Sequence, residues 1–507
     1  MSKNLKEKIS IIIKKFEIGK FQEVINESLV ILKKNDNDFL WNLLGLSFQN
    51  LNQIDKSIDC FENALGLNPR NFSALNNLGL SFKKLKDYIK AEENFLKSIE
   101  LNPKYVNALV NLGNVKNETY YFDDAISYYS KAIVLNKNLP LIHLNISSVY
   151  QSINKIKEAK KHLNEAILID ETFTIADQKL TTLEKYDKEN PHLKLMTHKL
   201  EKLKLSNNQK VYLNFGLSKV YKDLKNYEKS FYYLKNGNQL QRQILRYDIN
   251  QHKVLSEKIK SIFSKINLEE IQYSNKGKNN IFVLGMPRSG TTLIEKIISS
   301  HSNVSTISES NFIPEKVHGF LNKDFEELKK ILNSNFQNKY YQFIKSFNIK
   351  DEIVVDKTLT NFWYLGFIKI LFPESKIIHI SRNPKDNCLS IFENLFDYPE
   401  GWNCDQEELA EYYLIYQDLM KFWSKLFGNS IYNIKYEDVI LNTNTQIKEL
   451  INFCGLEWEE ACLNFHENNN PIKTVSFNQA NKPIYKSSIE KHKLYEKELD
   501  ILFNKLN

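Results

Sequence analysis

Residues 285–293 read GMPRSGTTL, straight after the apolar run Ile281–Leu284, and they crowd two glycines, one arginine and three hydroxyl side chains into nine positions. A short buried strand, a glycine-bearing turn and a helix N-terminus, in that order, aim backbone N–H groups and the positive end of a helix at an anion. Gly285 and Gly290 keep the spacing of a Walker loop. Thr291, however, stands where such a loop carries the lysine that reaches the β- and γ-phosphates, and the cation, Arg288, lies inside the turn. Without that lysine a triphosphate site would lose a large electrostatic contribution, which argues against a kinase or an ATPase. A second cluster, SRNPKDNCLS, sets Arg382 after the apolar run KIIHI and Ser390 eight residues on, inside the next helix. A guanidinium fork and a hydroxyl so placed can hold one phosphate from two sides.

Both clusters need strands behind them. Short apolar runs bounded by turn signals occur at IFVL, EIVV (Glu352–Val355), KIIHI (Lys376–Ile380) and IYNIKY (Ile431–Tyr436). Between them TTLIEKIISSH spaces Leu293, Ile294, Ile297 and Ile298 at helical intervals, and YLGFIKILF and ELAEYYLIYQDLMKFWSKLF read as further helices. The alternation predicts a three-layer α/β domain with a parallel sheet over 276–507, entered through the polar stretch NKGKNN (Asn275–Asn280). Ligands in such domains bind at the carboxyl ends of the strands.

The first half follows another rule. Leu67-Asn68-Pro69 recurs 34 residues on as Leu101-Asn102-Pro103 and again as Leu135-Asn136-Lys137. Gly45, Gly79 and Gly113 keep the same step, with Ser147 in the next slot. Small residues at Ser57, Ala91, Ala125 and Ala159, and at Ala64, Ser98, Ala132 and Ala166, stay in phase with the bulky Phe61, Phe95, Tyr129 and Leu163. This period resembles the tetratricopeptide repeat, in which two antiparallel helices cross at small residues and a large one fills the gap. It predicts a helical solenoid over about 1–270: regular repeats at about 37–170, a less regular first unit near Phe16–Leu32, a spacer at 171–210 that loses the period, and one more repeat at about 211–245. Such an array offers a concave face for a peptide or protein, or serves as a spacer or dimerisation arm.

PRSGTTL resembles the 5′-phosphosulfate loop of sulfotransferases, which use 3′-phosphoadenosine 5′-phosphosulfate (PAPS), and SRNPKDNCLS resembles their 3′-phosphate motif. With the repeats, the chain resembles the bacterial tetratricopeptide-repeat sulfotransferases, whose catalytic domain is similar to that of protein-tyrosine sulfotransferases. The resemblance implies that Arg288, Ser289, Gly290, Thr291, Thr292 and Leu293 hold the phosphosulfate and that Arg382 and Ser390 hold the 3′-phosphate. Tyr436, in KYEDV, matches a tyrosine that contacts the adenine. Lys486, Ser487 and Ser488, in PIYKSSIEKHKLYEKEL, match a basic loop that closes over the 3′-phosphate, although Glu490 and His492 replace a common glycine and tryptophan. Glu309, in STISESNF, matches the base of a glycine-glutamate pair, with Ser308 in the glycine's place; its alternative is a helix-capping glutamate. Lys357, in VVDKTLTN, matches a lysine that stabilises the bridging oxygen, a task Arg288 would share, while the adjacent Asp356 allows a structural ion pair instead. His301 and His379 lie in no matching motif and read as structural.

Sulfuryl transfer resembles phosphoryl transfer in relying on positioning and electrostatics. It requires no metal, because a sulfate carries less charge than a phosphate monoester. The expected activity is therefore PAPS-dependent transfer to an acceptor hydroxyl, a peptide or protein tyrosine first. A saccharide hydroxyl is the alternative within the class; a non-catalytic repeat scaffold with a nucleotide-sensing domain is the alternative outside it. The Trp402–Phe427 stretch is expected to help form the acceptor pocket.

Composition agrees with a globular protein of several units: 507 residues, 42% hydrophobic, 26% charged, net charge +8. No block of like charges marks a nucleic-acid arm. Five scattered cysteines without CxxC spacing argue against a disulfide framework or zinc site and point to a reducing compartment. The apolar run Ile11–Ile13 is too short for a signal segment, and no transmembrane stretch occurs, so the cytoplasm is the expected location.

Overall fold

A computed structural model describes residues 3–265, 277–322, 335–349, 351–396, 400–468, 483–484 and 489–506. It divides into two compact units, Met1–Val149 with Gln342–Asn348, and Tyr150–Tyr341 with Ile349–Asn507.

The first unit is built of helix pairs: α1 (Lys3–Glu17) with α2 (Phe21–Leu32), α3 (Asp38–Asn50) with α4 (Ile54–Leu67), α5 (Phe72–Lys84) with α6 (Tyr88–Leu101), and α7 (Val106–Glu118) with α8 (Phe122–Leu135), followed by the start of α9 (Pro140–Ser152). The in-phase glycines are where the paired helices touch. A Cβ on Gly45 would lie 2.5 Å from the Phe61 ring, one on Gly79 2.7 Å from Phe95, and one on Gly113 2.6 Å from Tyr129, so any larger residue would push the pair apart. The 34-residue step also governs the backbone. Asn52, Lys86, Tyr120 and Asn154 all take left-handed conformations at the turn between paired helices.

The second unit begins with α10 (Ile156–Ile169), α11 (Thr174–Leu183), α12 (Pro191–Lys202), α13 (Asn207–Asp223), α14 (Tyr227–Ile244) and α15 (Asn250–Phe263). The stretch read as a spacer is thus helical. It buries an ion pair: Asp177 and Lys199 are both fully buried, 2.9 Å apart, and His192 approaches the same carboxylate at 3.0 Å. The last repeat also departs from expectation. Gly216 faces Met196 and Thr181 rather than an aromatic on α14, and the glycine-ring contact is made in reverse, by Gly237 against Phe215.

Five strands follow: β1 (Asn280–Leu284), β2 (Val304–Ser308), β3 (Ile353–Asp356), β4 (Lys376–Ser381) and β5 (Ile431–Lys435). They form one sheet in the order β2-β3-β1-β4-β5, and every pairing is parallel. Helix α16 (Thr291–Ser299) follows the loop after β1, α17 (Pro384–Phe392) follows β4, and α18 (Gln406–Phe427) precedes β5. On one sheet face Ile281, Val283, Val355 and Ile378 pack with Ile294, Ile297 and Ile298 of α16. On the other, Phe282 meets Tyr340 and Phe372. Both faces are therefore covered, as an all-parallel sheet requires. Trp402 stacks on Tyr412 at 3.9 Å, and Tyr416 and Trp423 are buried with them.

The repeat helices of this unit are fixed to the sheet's helices. Arg242 of α14 grips Glu408 with two hydrogen bonds of 2.7 and 2.8 Å, and Asn238 donates to the carbonyl of Phe392 at 3.1 Å. A Cβ on Gly366 would lie 2.3 Å from the Phe263 ring, which shows how closely α15 approaches. Among the described residues no helix is long and apolar enough to cross a membrane. Phe95→Ala, which empties one crossing, is expected to destabilise α5 and α6 by about 3–5 kcal/mol, read as faster amide hydrogen exchange in those two helices.

Candidate functional site

Parallel strands end at one edge of the sheet, and each of these five delivers one of the sequence-predicted groups there. The 285–290 turn leaves β1, Glu309 directly follows β2, Lys357 follows β3, Arg382 follows β4 and Tyr436 follows β5. In spatial order Glu309 and Lys357 lie to one side of the turn, and Arg382 and Tyr436 to the other. With neighbouring strands about 4.8 Å apart, the row spans roughly 19 Å.

The turn needs its glycines for space as well as conformation. Gly285 has φ +155°, and a Cβ there would meet the Ile380 carbonyl at 2.4 Å; Gly290 has φ +111°, and a Cβ would meet the Tyr436 ring at 2.6 Å. Arg288 also adopts a left-handed conformation, φ 66°. Gly290 caps α16, so Thr291 and Thr292 open a helix whose first amides have no intrahelical acceptor, and Leu293 completes that turn. The Ser289 hydroxyl is fully buried beside them and has no hydrogen-bond partner among the described residues.

The turn is stapled to the β4 segment. Arg288 Nε donates to Ser390 Oγ at 3.1 Å, Arg382 donates to the Arg288 carbonyl at 3.2 Å, and Asn387 donates to the Pro287 carbonyl at 2.7 Å. The Arg382 guanidinium lies 4.9 Å from the centre of the half-buried Tyr436 ring. Arg288, Arg382, Ser390 and Tyr436 are thereby gathered, and Arg288 reaches toward Ser390.

Lys486, Ser487 and Ser488 lie outside the described residues. Just beyond them, Glu490 has φ 60°, a left-handed position that a glycine fills without strain, which accounts physically for the glycine expected there. His492 does a job its sequence did not announce: with its own amide and that of Glu490 it clamps the buried Asp386 of α17, at 2.7–2.9 Å. Between them, Lys491 was missed by the sequence reading. Burial lowers its pKa, and the charges of Lys222, Arg382 and Arg288 lower it further against the pull of Glu393, so its ammonium stands in the same cationic cluster.

At the other end, Lys357 has no exposed surface. Its Nζ lies 2.5 Å from Glu309 Oε1 and 3.5 Å from Glu295 Oε2. Burial opposes its charge, but the two carboxylates outweigh that and hold its pKa above the ordinary lysine value. Glu309 is about one-third exposed, whereas Glu295 has no exposed surface. A bulge in the β2–β3 register and left-handed Ser308 and Asn311, both at φ 51°, turn Glu309 out of the sheet edge. The following helix (Phe312–Val317) starts after Asn311, so Glu309 is occupied by Lys357 rather than by a cap. Asp356 is no partner of Lys357. Its buried carboxylate accepts from Thr358, Ser310 and Tyr340 at 2.7–3.1 Å. Glu295 was not legible as a site residue, since its helix reads as a plain apolar stripe.

The two histidines are structural. His301 bonds the Glu457 carbonyl at 3.0 Å, and His379 lies between Asn433 and the Tyr416 hydroxyl.

Residues 280–460 match the sulfotransferase family, and residues 40–71, 72–105 and 141–173 match the tetratricopeptide repeat. The sulfotransferase match thus falls on the domain that carries the parallel sheet and its edge. The chain joins that domain to tetratricopeptide repeats. It is 33% identical over 303 residues to an uncharacterized protein of Aquifex aeolicus (strain VF5), 56% of this chain but only 40% of that protein's length. It is 26% identical over 196 residues, 37% of this chain and 69% of the relative, to a Caenorhabditis briggsae protein named "Putative protein-tyrosine sulfotransferase". A solved MamA structure from Desulfovibrio magneticus RS-1 is 19% identical with a TM-score of 0.31, covering 34% of this chain and 98% of that one.

Burial pushes the His379 pKa down to about 4. The unfolded chain therefore binds a proton that the folded one refuses between about pH 6.5 and 4. Stability that is fully present above pH 6.5 should fall by about 3 kcal/mol as the pH drops through that window. Urea titrations of the wild type and His379→Asn across it are expected to show a flatter pH dependence in the variant.

Proposed function

We propose that the chain is a PAPS-dependent sulfotransferase acting on an acceptor hydroxyl, with a peptide or protein tyrosine as the acceptor. The observation that carries this reading is the row of groups along one sheet edge. A central anion turn has a base-and-lysine pair (Glu309, Lys357) on one side and an arginine with an aromatic ring (Arg382, Tyr436) on the other. The residues fit a bound phosphosulfate nucleotide: the buried Ser289 hydroxyl lacks a protein partner among the described residues, and the space at Gly290 is one a Cβ would fill.

Ser289, Gly290, Thr291, Thr292 and Leu293 would hold the 5′ side. Arg382, Ser390 and Lys491, with Lys486, Ser487 and Ser488, would hold the 3′-phosphate and Tyr436 the adenine, while Arg288, bonded to Ser390 at 3.1 Å, would serve the phosphosulfate and its bridging oxygen. When bound, PAPS supplies a sulfuryl group already activated by an anhydride to phosphate. Glu309 orients the acceptor hydroxyl and takes its proton, and the Lys357 ammonium meets negative charge that develops beside it. Binding at a helix N-terminus and to guanidinium groups requires no metal ion. Tyrosine is favoured by Glu309 in the place of the family's glycine-glutamate pair and by the name of the Caenorhabditis relative.

The functional division we assign is a repeat array over 1–270, offering its concave face to a protein partner or to the substrate, and a sulfotransferase domain over 276–507. All five cysteines are free and buried, in keeping with the reducing cytoplasm as the location.

Radiolabelled PAPS given to the full chain with a tyrosine-containing acidic peptide, or with an oligosaccharide, tests the reading. Label should pass to the peptide. Glu309→Ala should cut transfer by about 10²- to 10⁴-fold with nucleotide binding retained, and Arg382→Ala should weaken binding of 3′-phosphoadenosine 5′-phosphate by roughly tenfold or more. Failure to bind the nucleotide at all would defeat the proposal. Binding without transfer to either acceptor would point to a nucleotide sensor, and transfer to the oligosaccharide alone would move the acceptor to saccharides.

A further inference from the structure

Glu295 is a carboxylate with no exposed surface on a helix that also buries Ile294, Lys296, Ile297 and Ile298, and an uncompensated charge in such a place is costly. Burial raises its pKa, while the Lys357 charge, with Thr306 and Ser308, works against that. Thr306 donates to Oε1 at 2.7 Å, and Lys357 Nζ lies 3.5 Å from Oε2. Thr306 and Ser308 both come from β2, the strand that delivers Glu309. The serine in the expected glycine position, φ 51°, therefore serves this buried group while it turns the chain toward Glu309.

We infer that Glu295 is a positioning residue, the permanent counter-ion that keeps the Lys357 ammonium charged and in place while Glu309 is neutralised during transfer. The inference rests on the proposed roles of Glu309 and Lys357. The proton balance requires such a group. In the resting site two carboxylates face one ammonium. When the acceptor O–H bond breaks, its proton passes to Glu309 and its electron pair goes to the new O–S bond; the bond from sulfur to the nucleotide's phosphate oxygen breaks, and that oxygen leaves with its pair. Glu309 is then an uncharged acid, and Lys357, with no exposed surface, keeps Glu295 as its anionic protein partner among the described residues. Asp356, its neighbour in the chain, is turned to Ser310, Thr358 and Tyr340. The other charges facing Glu295 are Glu309, which repels it, and Lys296, which attracts it but spends its ammonium on the Asn468 carbonyl at 2.8 Å.

Glu295→Gln keeps the shape and removes the charge. Two measurements on the full chain test it. The first is an NMR titration of 13C-labelled lysine side chains, with the Lys357 signal assigned from its loss in Lys357→Gln. The midpoint of Lys357 should fall in Glu295→Gln by about one unit or more. The second is the rate of transfer against pH. In Glu295→Gln the alkaline limb should move to lower pH, with kcat reduced by about 100-fold and the acceptor KM little changed. Thr306→Val, which removes one bond to Glu295 and no charge, should move both readouts in the same direction by less, and it serves if Glu295→Gln does not fold. An unchanged Lys357 midpoint and an unchanged alkaline limb in folded variants would overturn the inference even where transfer is lost. A wild type that transfers no label would instead count against the proposed function, and the NMR midpoint would still decide the role of Glu295.

Discussion

The site depends on the strands of one sheet all running the same way. In a parallel sheet every carboxyl end reaches one edge, and chemistry-bearing residues placed one or two positions after a strand become neighbours there however far apart they lie in sequence. Arg288, Glu309, Lys357, Arg382 and Tyr436 are separated by up to 148 positions of numbering, yet they stand in the order set by β2-β3-β1-β4-β5. Strand order then divides the labour. Because β1 lies in the middle, the 285–290 turn falls between the Glu309–Lys357 pair and the pair that presents an arginine and a ring.

Much of this was legible. Four of the five strands could be placed within a residue or two, since buried parallel strands are short, continuous and bounded by turns, and the helical repeat could be counted from its glycines. What could not be read was whatever depends on side chains meeting from different strands. Asp356 ends β3 just before Lys357 and looks like its partner, but the alternation of side chains sends the two apart, and the real partners come from the end of β2 and from α16. Glu295 was invisible because nothing within nine residues of helix reveals that a buried lysine will face it. Lys491 was overlooked because attention fell on the basic and hydroxyl residues just before it.

Left-handed backbone at residues other than glycine recurs wherever the chain must turn sharply at the site. Arg288, Ser308, Asn311 and Glu490 each accept a conformation that costs a non-glycine residue on the order of 1 kcal/mol. At Ser308 the side chain helps to favour the charged form of the buried Glu295. At Glu490 it is visible as the pair of amides closed on Asp386. Departures from a glycine pattern in sequence are therefore not losses of the turn; the turn is retained and the side chain is given a task.

The hydrogen bond from Asn238 to the Phe392 carbonyl ties the last repeat pair to the far end of the helix that bears Ser390. Arg242, one turn further along α14, holds Glu408 at the start of α18. Helix α14 therefore acts as a crossbar between two helices beside the Arg382 end of the sheet edge. A rotation of that bar has to break three hydrogen bonds or drag Ser390 with it, so within this unit the last repeat pair and the helix that bears Ser390 behave as a single lever rather than as a tether and its load.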